Sequence, residues 1–261
     1  MSSLHTTLDL IRQQKLAAER EFQSRYPDLF SYIQSAHILN PPDQSIPQFD
    51  SKIHDSAIKI TLEEYETTIQ KLKDLVVLPP APLDIQLGLY LEQQIAELTG
   101  VEVTTVLETH QLPQQMGSIK SLPHQKCHPT DTLSAHVHVL EAGFSEKRSQ
   151  YGWQYDKNDA YSISLSLMQF PIPEGERETY KQWYKYRKML VINPVERRAV
   201  VAKVTDIQFF PSHKYQFGGS PELIRAVRAW SPQSLGRVLL FYIPKNDTHS
   251  CGPVTFKNPT V

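Results

Sequence analysis

Apolar positions in the first hundred residues recur at helical spacing. Leu4, Leu8, Ile11, Ala18 and Phe22 predict an amphipathic helix over 3–25, stopped by Pro27. Residues 40–58 ("NPPDQSIPQFDSKIHDSA", from Asn40) read as an extended, proline-rich connector. Thr61 and Glu64 form a capping box ahead of the stripe Leu62, Tyr65, Ile69 and Leu72. That helix ends before "VVLPPAPLD". A third helix follows, with Asp84 as N-cap, Gly100 just past its end, and Leu87, Leu91, Ile95 and Leu98 on one face.

After Gly100 the period changes from helical to alternating. "VEVTTVLE" is β-branched and strand-like, 109–131 read as a loop rich in proline, glutamine and histidine, and "SAHVHVL" (134–140) alternates as a strand. In "YSISLSLMQF", Tyr161, Ile163, Leu165 and Leu167 point one way and three serines the other. Further strands are expected at 188–192, 198–205 and 237–243. Ser220 and Pro221 announce a helix over 221–230. The expected class is α+β: a helical region over 1–100, a β-containing transition over 101–144, a β domain over 145–250 and a tail over 251–261. The chain has no internal repeat.

Composition narrows the function classes. The chain has 261 residues, 40% of them hydrophobic, which is enough for a real core. A net charge of −1 argues against a nucleic-acid partner, which calls for a basic excess. Nineteen prolines against ten glycines favour rigid connections. Cys127 and Cys251 are the only cysteines and are expected as two thiols. The N-terminus carries no apolar core of signal-peptide length, and no run approaches the roughly 18 apolar residues of a membrane span. A soluble chain with the cytoplasm as its default location is therefore expected.

Four segments carry a resemblance. "SQYGW" (Ser149–Trp153) looks like a serine-aromatic-tyrosine-glycine opening. "VINPVERRAVVAKVTD" looks like a strand, an asparagine turn and a strand ending in aspartate. "GGSPELIRAV" looks like a serine-capped crossing helix, and "LGRVLLFYI" like a closing strand. In this order they resemble the six-stranded double-psi β-barrels of the rare-lipoprotein-A-like, expansin-like and lytic-transglycosylase proteins, over roughly 100 residues. The whole chain also resembles a group of bacterial proteins sharing "GGSPE", which implies no activity.

The resemblance implies a cell-wall or glycan-associated barrel, with peptidoglycan or another polysaccharide as partner. In its catalytic members the aspartate after the second psi strand is general acid and base on a glycosidic bond, and Asp206 holds the matching position. A carboxyl must protonate the leaving oxygen, and the apolar neighbours Ile207, Phe209, Phe210 and Pro211 favour the protonated form. The family's arginine-glycine-proline is replaced by "IQFFPS", and its second aspartate by Gly219. Expansin-like barrels bind glycans without hydrolysing them, so binding alone is equally implied. On the residues themselves, Asp206 is either a catalytic acid or a strand-end acceptor of backbone N–H groups.

Other candidates accompany it. Five of ten histidines lie between 110 and 138. On a strand, His136 and His138 share a face, either to assist Asp206 or, with Asp131, to bind metal as a hydrolase would. "HQKCH" (124–128) is not a paired-cysteine knuckle, so neither a metal nor a cofactor is expected. Trp183, in "YKQWYKYRKM", belongs either to a glycan-stacking platform or to a helix covering the barrel. Tyr151, His213 and Tyr215 are expected to line a cleft. "FGGS" (217–220) is either an anion seat or a tight turn. A non-catalytic module with a protein partner is the alternative reading of the whole.

Overall fold

The structure, a computed structural model, describes residues 60–136, 144–153, 160–166, 174–208, 215–229 and 236–257. These belong to one compact unit, Ala57–Val261. The helix expected over 3–25 and most of the connector lie outside the described residues.

Two helices lead the unit. α1 (Leu62–Val76) has the capping box, with Thr61 and Glu64 bonded reciprocally. α2 (Ile85–Thr99) starts where the Asp84 carboxylate accepts from the N–H groups of Gln86 and Leu87, and ends at Gly100 with φ 75°. The α2 stripe Leu87, Leu91, Ile95 and Leu98 is buried, as are Tyr65, Ile69 and Leu72 on α1, but Leu62, expected with them, opens the helix exposed. Thr68 donates to Gln94 across the pair at 2.8 Å. Among the described residues, no helix is long and apolar enough to cross a membrane.

Beyond α2 the chain is mostly strand. The expected strand over 101–108 contracts to a single bridge from Thr104 to Tyr242 and a short β1 (Val106–Leu107). β1 pairs with β2 (His110–Gln111) around Glu108 and Thr109, both left-handed (φ 49° and 71°). The expected loop that follows instead holds β3 (Met116–Ser121) and β4 (His124–Lys126), the latter parallel to β5 (Phe144–Arg148). The expected strand at 134–140 is corrected where it is described. Leu133–His136 form a 3-10 turn, entered where Ala135 N–H bonds to the Thr132 carbonyl at 3.0 Å. Thr132 and Ser134 also bond side chain to side chain, a local pattern that competes with a ladder.

β6 (Ser162–Ser166), β7 (Lys188–Asn193), β8 (Arg198–Gln208), β9 (Phe217–Gly219) and β10 (Arg237–Tyr242) complete a closed six-stranded barrel with β3. The order is β8-β6-β9-β3-β10-β7, and β7 pairs back onto β8. The pairs β3–β9 and β6–β8 are parallel and the rest antiparallel. β11 (Gly252–Val254) adds to the outside of β8. The architecture is α+β. Val191, Val200, Ala202, Val204, Val238 and Leu240 fill one core with Ile163, Leu165 and Phe217. Their neighbours Leu190, Ile192, Val201, Leu239 and Phe241 are just as buried on the opposite strand face. Burial on both faces explains the near-continuous apolar runs "MLVI" and "VLLFY".

α3 (Arg177–Tyr184) and α4 (Pro221–Val227) both pack against β8. Tyr184 and Tyr242 share a hydroxyl bond of 2.8 Å inside the core. Burial pushes the Tyr184 phenol up to about 12, and that of Tyr242 further up. At the surface, Glu108 accepts from Lys245 at 2.6 Å, Arg187 at 2.7 Å and the Trp183 indole at 2.9 Å. The Lys245 bond leads in holding this carboxyl down at about 2. A carboxyl depressed on folding stabilises above its unfolded value, and that stability is lost as pH falls to the folded value. Replacing it by Glu108→Gln is therefore expected to destabilise at pH 7. In urea melts, the gap from wild type should shrink between about pH 4.5 and 2. A gap independent of pH would contradict this role.

Candidate functional site

The site begins with an irregularity in β8. Val204 and Ile207 both point into the barrel core, with two residues between them where a regular strand has one. The register explains this: Ile163 faces Val204 and Ser164 faces Asp206, so Thr205 is the extra residue of a bulge. Without that bulge, the alternation would turn Asp206 toward the apolar interior. With it, Thr205 and Asp206 both face a shallow cleft of about 260 Å³, counting its open mouth. Ser162, Ser164, Ser220, Gln125 and Gly218 contribute to the lining.

Asp206 is half-buried, and the Ser164 hydroxyl donates to its Oδ2 at 3.4 Å. Ser220 is fixed as the N-cap of α4, accepting from Leu223 N–H and donating to the Ala160 carbonyl at 2.6 Å. Next to this cleft is a second depression lined by Lys120, Ser166, Tyr215 and Gln216, sharing Leu122, Ser164 and Gly218 with the first. Lys120 Nζ lies 5.8 Å from the Tyr215 ring centroid. The two depressions make one groove, with a carboxylate and hydroxyls at one end and an aromatic ring at the other.

"SQYGW" packs behind Asp206. Gln150 accepts from Ile207 N–H at 2.9 Å, and Tyr186 donates to the Tyr151 carbonyl at 2.8 Å. The Tyr151 hydroxyl is buried with no hydrogen-bond partner among the described residues. Burial first, then the Asp206 charge, push its phenol well above the ordinary tyrosine value.

A second polar cluster begins at His124, between the cleft-lining Pro123 and Gln125. His124 and Cys127 lie at and after β4, and the His128–Asp131 turn returns Asp131 to them; all three side chains are buried. Their ligand atoms lie within 4.8 Å of one another. Nε2 of His124 is 3.5 Å from Asp131 Oδ2 and 3.8 Å from Cys127 Sγ, and its Nδ1 is 3.0 Å from the Glu222 carboxylate on α4. Cys127 N–H donates to Asp131 Oδ2 at 2.9 Å. Cys127 and Cys251 are not joined in a disulfide.

No protein-family model and no curated protein matches this chain.

The other sequence candidates fall in different places. Trp183 on α3 is stacked by His110 (3.9 Å between centroids) and by the Arg187 guanidinium (3.7 Å), away from the groove lining. His136 ends the 3-10 turn, while His138 and His213 lie outside the described residues. "FGGS" is strand β9 followed by the α4 N-cap rather than a mobile turn. Asp131 gathers with His124 and Cys127, which sequence reasoning set aside. The visible signal was the spacing His124-x2-Cys127-x3-Asp131; the unreadable part was Glu222, 98 residues from His124.

Proposed function

We propose that the groove binds a polysaccharide strand of the peptidoglycan type. The observation that carries this reading is the bulge that turns Asp206 out of the core into a cleft lined by serine and threonine hydroxyls, with Tyr215 at the far end. Sugars present hydroxyls to carboxylates and an apolar ring face to aromatics, and this groove offers both. The order of barrel segments that resembles double-psi glycan binders supports the same substrate class. Cleavage would fall to Asp206 alone, because no second carboxylate lines the cleft among the described residues. Binding is thus the primary activity, and Asp206 is the carboxyl, among the described residues lining the groove, on which a slow lytic step would rest.

The test incubates wild type, Asp206→Asn and Tyr215→Ala with insoluble peptidoglycan, measuring retained protein and released soluble sugars. Tyr215→Ala should weaken retention about tenfold, the equivalent of about 1.4 kcal/mol. Asp206→Asn should weaken it less and abolish any soluble product. A wild type that is neither retained nor releases product removes the reading.

A further inference from the structure

We infer that His124, Cys127 and Asp131 form a zinc site, independent of the glycan reading. Three observations converge on it.

The first is spacing. Zinc binds sulfur at about 2.3 Å and nitrogen or oxygen at about 2.0–2.1 Å, so tetrahedral angles separate N and S by about 3.6 Å and N and O by about 3.4 Å. The separations here are 3.8 Å and 3.5 Å. The N···O distance exceeds the roughly 2.7–3.2 Å of a direct N–H···O bond. The imidazole already contacts both the thiol and the carboxylate at separations close to those of co-ligands of one ion, and all three ligand atoms lie within 4.8 Å of one another.

The second is the imidazole tautomer. Both Glu222 oxygens lie 3.0 Å from Nδ1, so Nδ1 carries the proton and donates to that carboxylate. In the neutral form a zinc ligand requires, Nε2 would then turn its lone pair toward the thiol sulfur and the carboxylate oxygen. With the thiol as thiolate, a cation between the three ligand atoms would hold them together. A carboxylate behind the ligating histidine is also the usual outer partner of a zinc-bound imidazole.

The third is burial. His124 is 2% exposed, Asp131 4% and Cys127 6%. Carboxylates withdrawn this far from water are paired or coordinate metals. A mixed sulfur, nitrogen and oxygen set suits Zn²⁺ over Mg²⁺ or Ca²⁺. Binding takes the Cys127 thiol as thiolate and releases its proton to solvent. The ion would tie the turn after β4 to the first turn of α4, just behind the cleft.

The experiment uses the full untagged chain. Elemental analysis of protein expressed with zinc in the medium should give one zinc per chain. After chelation, Co²⁺ titration should produce a thiolate-to-cobalt charge-transfer band. Cys127→Ser should abolish the band, Cys251→Ser should keep it, and Glu222→Gln should weaken affinity about 10–100-fold. Should Cys127→Ser not fold, peptide mapping of wild type after alkylation decides instead, with Cys127 modified faster once the chelator is added. No stoichiometric metal together with no cobalt band overturns the site, as does a band that survives Cys127→Ser or a Cys127 alkylation rate indifferent to the chelator.

Discussion

Asn193→Ala is expected to destabilise the fold by about 3 kcal/mol, since each buried partner left unsatisfied costs roughly 1–3 kcal/mol. Asn193 ends β7 and is fully buried. Its Nδ2 donates to the carbonyls of Val227 and Arg228 at 3.0 and 3.1 Å, and its Oδ1 accepts from Glu196 N–H at 3.3 Å. One amide therefore satisfies the last carbonyls of α4 and shapes the β7–β8 turn, in which Arg197 is left-handed at φ 52°. Alanine leaves all three groups without this partner. Urea unfolding should show a lower midpoint with an unchanged slope. Asn193→Asp keeps the acceptor but turns a negative charge on two carbonyls, so it should be no less damaging. A loss below about 1 kcal/mol for both variants would mean that water replaces these bonds readily.

Arg237→Met is expected to release the helical layer from the barrel. Arg237 opens β10, and its guanidinium donates to the carbonyls of Val76 and Leu78, where α1 ends. Burial holds its pKa below the usual arginine value. A cation here also complements the negative end of the helix dipole. Methionine keeps the aliphatic stem and removes the donors, so the change isolates the bonds from the packing. Hydrogen bonds to a charged group contribute about 1.5–3 kcal/mol, and a loss near 2–3 kcal/mol is expected. Hydrogen exchange should speed up in α1 well before the barrel strands. Uniform acceleration across the chain would show that helix and barrel unfold as one unit.

Features set by neighbouring residues were legible in the sequence. Thr61 with Glu64, Asp84, Gly100 and Ser220 with Pro221 all mark helix ends that the structure keeps. The β7–β8 hairpin was readable because both strands are apolar on both faces around one turn. β3 was hidden for the opposite reason. "MGSIKS" lacks a β-branched run, and its partners β9 and β10 lie about a hundred residues away. Gly117 belongs to packing rather than to a turn, since a Cβ there would sit 2.8 Å from the Gln216 Cβ. The position of Asp206 was legible from its place after "VVAKVT". Its exposure was not, because the bulge exists only in register with β6. The strand expected at 134–140 gave way, over its described residues 134–136, for a local reason: alternation lost to hydroxyl-stabilised turning.

The pairing of β3 with β9 and β10 sets a constraint on biosynthesis. β3 emerges from the ribosome early, yet its two neighbours in the ring are made at 217–219 and 237–242. Until then its backbone N–H and C=O groups have no ladder on either side, and α4 has no closed floor beneath it. Closing so long a loop is slow, and an unpaired strand in the meantime is a template for association with other chains. A nascent chain that stops short of about residue 242 therefore lacks the strand that joins β3 to β7 and cannot close the ring.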